Sequence, residues 1–340
     1  MKRFEHGGDI YRNNVRIDFS ANINPFGIPE GVKKAIINDI DKLAYYPDTE
    51  CVRLRRAISE KENIPVENIL IGNGAADLIF AVVRVLRPER ALLISPTFSE
   101  YEKALESVSC DIKYFTLKEE NGFALTDDYL NYLTDTDMIF ICNPNNPTGN
   151  IVDKNLMDKI LSRCRRNNIT AVVDECFMDF VPHGYSVRGD AVVIKAFTKL
   201  YAMAGIRLGY MIGDTKIIKD SKSVMQSWSV SSLAQVAGVA AVCDTEYVEK
   251  SVEYINHERE FLIAELKKMN FIVYGSQANF VFFKGDTNIH KELLKKAILV
   301  RSCENFRGLD GQFYRIAVKL HEENVQLIEA LREAVQWQKR

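Results

Sequence analysis

The chain has 340 residues, 44 basic and 46 acidic, for a formal charge of −2, and is 47% hydrophobic and 26% charged. That balance is ordinary for a soluble globular protein, and near-neutral charge with both signs interspersed argues against nucleic acid or a membrane surface as a partner. The amino-terminal MKRFEHGGDIYRNN lacks the apolar run of a secretory signal, and no stretch approaches the roughly 18 apolar residues of a membrane span, so a cytoplasmic protein is expected.

From about residue 66 to 213, short apolar runs alternate with helix-like segments. The runs lie at 69–71, 91–94, 138–142, 171–173, 191–194 and 208–212; the predicted helices are 75–86, 99–108 and 153–166. Nearly continuous apolar strands separated by helices predict a mostly parallel sheet covered on both faces. After residue 245 the pattern changes. Residues 246–269 read as one long amphipathic helix, strands follow near 271–273, 279–283 and 314–318, and a helix over 322–338 closes the chain. The length predicts two domains at about 150 residues each. The expected architecture is α/β: a three-layer α/β/α large domain over 46–244, and a smaller α+β domain from 1–45 together with 245–340.

Ligands of such sheets bind beyond the carboxyl ends of the strands, so the residues after each run carry the functional reading. After 69–71 come Gly72, Asn73, Gly74, Ala75, Ala76 and Asp77, a tight turn or a helix start whose bare N–H groups make an anion site. After 91–94 comes Ser95-Pro96-Thr97-Phe98, an aromatic at a strand end that is either core or a stacking surface. After 138–142 comes Asn143-Pro144-Asn145-Asn146-Pro147-Thr148-Gly149, a rigid turn whose amides can face a cleft. Asp174 and Glu175 follow the next run, and Thr198, Lys199 and Arg207 stand in a small, largely apolar stretch after 191–194. Each motif is ambiguous alone.

Together they specify one ligand. A phosphate meets the N–H groups of Ala75 and Ala76, the Thr198 hydroxyl and Arg207. An aromatic ring stacks on Phe98, a phenolic oxygen meets Asn146, a ring nitrogen is kept protonated by Asp174, and Lys199 supplies the amine for a Schiff base. That describes pyridoxal 5′-phosphate. Seven scattered cysteines without a CxxC pair and five distant histidines predict reduced thiols and no metal.

With these residues in place, the chain resembles the fold-type I pyridoxal-phosphate enzymes, the class I and II aminotransferases. The resemblance covers nearly the whole chain, with NPNNPTG, DE, TK and GIRLGY in the family's order. It implies the aspartate-aminotransferase-like fold, with Lys199 as the cofactor lysine, Asp174 at the pyridine nitrogen, Asn146 at the phenolic oxygen and Phe98 as the stacking ring. It also implies Arg315 as the clamp on a substrate carboxylate. Tyr46, in Tyr45-Tyr46-Pro47-Asp48, resembles the residue given to the neighbouring subunit's phosphate site, which implies a homodimer.

Two branches of the family are similar. Histidinol-phosphate aminotransferases share most of the motifs. The threonine-phosphate decarboxylases of cobalamin synthesis share the opening His6-Gly7-Gly8, the run 18–25 and the run 300–309. From these, His6, Asn24, Arg301 and Arg315 are carried over as substrate residues. The chain departs from the aminotransferase pattern at Phe177, where a tyrosine is usual, and at Ala76 and Ala196, which lack hydroxyls for the cofactor phosphate. Each lost neutral hydrogen bond costs about 1 kcal/mol. The segment between His6 and Asp18 is also shorter than in the decarboxylases. The expected activity is decarboxylation of O-phospho-L-threonine; the alternatives are transamination of histidinol phosphate and decarboxylation of O-phosphoserine. A non-catalytic amine sensor is disfavoured, because the fold consumes all 340 residues and no DNA-binding module is expected.

Overall fold

The computed structural model describes residues 6–338; the first five residues of the amino-terminal stretch read above lie outside that range. A seven-stranded sheet forms the centre. Its order is Ile69–Gly72, Gly209–Ile212, Val192–Ala196, Thr170–Asp174, Met138–Cys142, Arg90–Ser95 and Asp111–Thr116. Gly209–Ile212 is antiparallel to both neighbours, and the other six strands run one way.

The apolar runs form these strands because both faces are covered. In Met138–Cys142, Ile139 and Ile141 join the core on one face, while Met138, Phe140 and Cys142 pack on the other. The second face is sealed by Ala75–Leu86, Glu100–Glu106 and Thr215–Ser223, through Leu78, Val82, Tyr101, Leu105 and Ile218. The first is sealed by helices that include Lys154–Arg166, whose Asp153 cap accepts a hydrogen bond from the Leu156 N–H. Each predicted central strand overlaps an observed one. The sheet's edge strand Asp111–Thr116 was not predicted, since it is half-exposed and mixes Asp, Lys and Thr with its apolar residues.

The long helix Thr245–Lys268 leads to a four-stranded antiparallel sheet, ordered Arg301–Ser302, Phe313–Ala317, Phe280–Lys284 and Ile272–Tyr274. The amino-terminal segment joins this part: Ile17–Asp18 pairs in parallel with Ile298–Leu299. On that distribution we propose the division into 46–244 and 1–45 with 245–340. One hydrophobic core nevertheless runs from Ile17 through the central sheet to Leu331, so the two parts pack as one body. No helix among the described residues is long and apolar enough to cross a membrane, and all seven cysteines are unpaired.

Candidate active site

Six central strands end on one edge of the sheet. Because Gly209–Ile212 runs the other way, its beginning lies on that same edge, with Gly209 paired to both Gly72 and Ala196. This reversal carries Arg207 to the start of helix Ala75–Leu86. Two glycines make the approach possible. A Cβ on Gly209 would lie 2.8 Å from the Ala75 nitrogen, and one on Gly74, whose φ is +83°, would lie 2.6 Å from Arg207 Nη2. No side chain caps this helix, so its first N–H groups are bare beside a guanidinium.

These groups open onto a cavity of about 680 Å³. Ala75, Ala76, Thr198 and Arg207 line it, together with Phe98, Asn146, Asp174, Lys199, His6, Arg301 and Arg315. Gly74 lies behind the turn, against Arg207. Most of the predicted constellation therefore converges on one space.

Asp174 ends its strand, 4% exposed. Its Oδ2 accepts a hydrogen bond from the Tyr101 hydroxyl at 2.6 Å and its Oδ1 one from the Cys176 N–H at 2.9 Å. Tyr101 is buried and stacked on Phe140, with ring centroids 4.9 Å apart. Burial and the neighbouring carboxylate push its hydroxyl well above the ordinary phenol range, so it stays a donor. Sequence reading missed Tyr101. Its one signal is its place three residues after Phe98, whose ring it meets edge-on at 5.6 Å.

Lys199 is the third residue of the short helix Phe197–Leu200, which starts where its strand ends. Its Nζ lies 5.9 Å from the Phe177 ring centroid. Burial, then the charges of Arg315 and Arg207, lower its pKa to about 8, which makes it a better nucleophile than an exposed lysine. Phe177 is buried in the cavity wall and packs edge-on against Phe280 at 5.1 Å, so it gives the site an apolar face without a hydroxyl.

Arg301 and Arg315 are directly opposite each other on paired strands and are 6% and 7% exposed. Arg315 donates to Asn146 Oδ1, and through Nη2 to the Ser20 carbonyl at 3.0 Å. With its oxygen occupied, the Asn146 amide has N–H groups to offer. Arg301 Nη2 donates to Asn305 Oδ1 at 2.6 Å. His6 reaches the cavity rim, where its Nε2 lies 3.0 Å from Glu100 Oε1 and its ring centroid 5.7 Å from that of Phe98. That hydrogen bond is the main cause holding the Glu100 carboxyl below its ordinary range.

Two of the candidate residues lie outside this cavity. Asn24 does not line it. Its Nδ2 donates to the Leu200 carbonyl and to Ser251 Oγ, both at 2.7 Å, and its Oδ1 accepts from the Phe26 N–H at 3.1 Å. Its own N–H donates to the Lys199 carbonyl at 3.1 Å. The polar groups of Asn24 are thus engaged within the protein, two of them on the Lys199 helix, and it stands outside the cavity, which corrects its assignment as a substrate residue. Tyr46 is 82% exposed and packs against Trp228 at 4.9 Å, away from its own chain's cavity.

The family described as aminotransferase class I and II matches residues 15–331. Threonine-phosphate decarboxylase of Salmonella typhimurium (strain LT2) is 36% identical over 347 residues, covering 96% of this chain and 95% of that protein. Histidinol-phosphate aminotransferase of Methanococcus aeolicus is 31% identical over 94% of this chain and 90% of its own length. Among solved structures, the histidinol-phosphate aminotransferase from Clostridium acetobutylicum aligns with a TM-score of 0.88 and 31% identity, over 94% of this chain and 98% of that one. The chain belongs to the class I and II aminotransferase family. It is an enzyme, and its cofactor is pyridoxal 5′-phosphate. The lining residues fit that cofactor: uncapped N–H groups beside Arg207 suit a phosphate, an anchored carboxylate suits a pyridinium, and an amine with lowered pKa suits an aldehyde.

Proposed function

We propose that this enzyme decarboxylates O-phospho-L-threonine to (R)-1-amino-2-propanol O-phosphate. The observation that carries the reading is the charge of the cavity beyond the cofactor residues. Among the described lining residues these are Lys103, Arg301, Arg307 and Arg315 against Glu100 and Glu102, four cations to two anions, with His6 adding charge when protonated. A formal +2 matches a substrate with a phosphate of about −2, a carboxylate and one ammonium. Histidinol phosphate has no carboxylate to set against the second buried arginine. Identity to the Salmonella decarboxylase over nearly both full lengths supports the same reading.

In this reading Ala75, Ala76, Thr198 and Arg207 hold the cofactor phosphate, Gly74 keeps the turn open, and Tyr46 reaches the same phosphate from a second copy of the chain. Exposed Ile37, Ile40, Leu43, Tyr45 and Trp228 support that homodimeric arrangement. Phe98 stacks on the ring, Asn146 donates to its phenolic oxygen, and Asp174, oriented by Tyr101, keeps its nitrogen protonated. When bound, pyridoxal phosphate supplies an aldehyde for the substrate amine and a ring that accepts the electron pair left on Cα. Arg315 and Arg301 would hold the substrate carboxylate and phosphate and so fix the orientation of the substituents on Cα. Lys199 Nζ returns a proton to Cα once carbon dioxide has left.

Single-turnover mixing of holoenzyme with O-phospho-L-threonine should release carbon dioxide; none released overturns the reading. O-phosphoserine differs by one methyl, worth about 1–3 kcal/mol of discrimination. The second reading, histidinol-phosphate transamination, draws on the 0.88 TM-score to that enzyme; it requires histidinol phosphate to convert the bound cofactor to its pyridoxamine form.

A further inference from the structure

Arg307 lies on the loop between strands Arg301–Ser302 and Phe313–Ala317 and lines the cavity mouth, its side chain 49% exposed. Its Nη2 donates to Glu102 Oε1 at 2.8 Å, and its guanidinium carbon lies 4.1 Å from the centroid of the Tyr114 ring. The Arg307 carbonyl accepts a hydrogen bond from Ser95 Oγ at 2.7 Å. Glu102 sits behind, its side chain 11% exposed, and also accepts from the Tyr114 hydroxyl. Two residues earlier on the same short helix, Glu100 holds His6 in the same manner. Two carboxylates of one helix thus hold cavity-mouth side chains that arrive from opposite ends of the chain.

We propose that Glu102 is a specificity-determining residue: it is a resident anion on Arg307 that the phosphate of an incoming substrate replaces. The proposal rests on the reading above for its substrate class. The Tyr114 ring and the Ser95 bond keep Arg307 in place during the exchange. Glu102 retains the Tyr114 hydroxyl when the arginine leaves it, so no carboxylate is stranded without a donor. A phosphate dianion offers the guanidinium a bidentate partner of higher charge than one carboxylate oxygen. A neutral hydroxyl offers nothing comparable and leaves Glu102 in possession. The site therefore admits phosphorylated amino acids and disfavours their unphosphorylated parents.

Isothermal titration of holoenzyme with inorganic phosphate and L-threonine tests this by binding alone, so a failure to release carbon dioxide is a separate result; where O-phospho-L-threonine is turned over, its arm is read as KM. Glu102→Gln should tighten binding of inorganic phosphate and O-phospho-L-threonine several-fold and leave L-threonine unchanged. Arg307→Met should weaken both phosphate ligands on the order of tenfold, and in that background Glu102→Gln should have no further effect. If Glu102 merely ties two segments together, Glu102→Gln will lower the melting temperature and will weaken phosphate binding or leave it unaltered; either binding result overturns the proposal. Should Arg307→Met fail to fold, the sign of the Glu102→Gln effect decides alone.

Discussion

Lys199 shows how a surface-type residue becomes a reagent. Burial and the charges of Arg315 and Arg207 all disfavour its ammonium, and its pKa falls to about 8. The neutral, reactive amine therefore accumulates as pH rises through about 8, not near the ordinary lysine value. In stopped-flow absorbance, uptake of pyridoxal phosphate by the apoenzyme should accelerate up to about pH 8 and then level off; a rate still climbing toward about pH 10.4 would mean an ordinary lysine. Lys199→Ala should abolish both the visible cofactor band and turnover. The same shift affects the apoprotein's stability. Between the folded and unfolded pKa values the unfolded chain binds more protons at Lys199, so stability contributed by this site rises with pH across that window. Tyr101→Phe removes one of the two donors that orient Asp174. A hydrogen bond to a charged group is worth about 1.5–3 kcal/mol, so cofactor dissociation followed by equilibrium dialysis should be about tenfold or more easier. The sequence revealed Asp174 because it follows an apolar run together with Glu175, and Lys199 because it stands beside Thr198 in a small, largely apolar stretch after another. It did not reveal Tyr101, whose hydroxyl matters only through a partner 73 positions away. Asn24 was misread for the same reason, since its partners Leu200 and Ser251 are distant in the chain.

At the level of elements, one reversed strand makes the phosphate cradle. A wholly parallel sheet would leave the start of Gly209–Ile212, and with it Arg207, on the far edge; antiparallel pairing returns it to Gly74. Gly209→Ala places a methyl 2.8 Å from a backbone nitrogen, which cannot move aside as a side chain would. Overpacking of this kind costs about 1–3 kcal/mol, and here the group displaced is the helix start itself. The variant should melt at a lower temperature and lose cofactor on dialysis, while Gly205→Ala, with open space around it, should do neither. The central strands were legible because two-sided burial writes itself as an unbroken apolar run. The reversal was not, because a buried strand has the same composition in either direction. The edge strand Asp111–Thr116 escaped because only partial burial acts on it, and the pairing of Ile17–Asp18 with Ile298–Leu299 because no local pattern links residues so far apart.

For the whole molecule, the open question is how many chains complete one site. Tyr46 stands 82% exposed against Trp228, and Ile37, Ile40, Leu43 and Tyr45 are also large apolar side chains that a lone chain leaves in water. If a second copy covers this surface and Tyr46 enters the partner's phosphate site, lesions at Tyr46 and Lys199 on separate chains can complement. Tyr46→Phe removes only the hydroxyl and keeps the ring that packs on Trp228. Lys199→Ala is inert. In a mixed dimer, the Lys199 of the first chain would be served by the Tyr46 of the second, which gives one intact site and one doubly defective site. Random mixing of equal amounts, after unfolding and refolding together, should give about a quarter of wild-type activity plus a quarter of the Tyr46→Phe activity, because half the dimers are mixed with half their sites intact and a quarter are Tyr46→Phe alone. Were Tyr46 to serve its own chain, every site in every dimer would carry one lesion, and mixing would return only the average of the two parents. Sedimentation of the mixture distinguishes the remaining possibility: a monomeric protein with unrestored activity removes the partner from the site altogether.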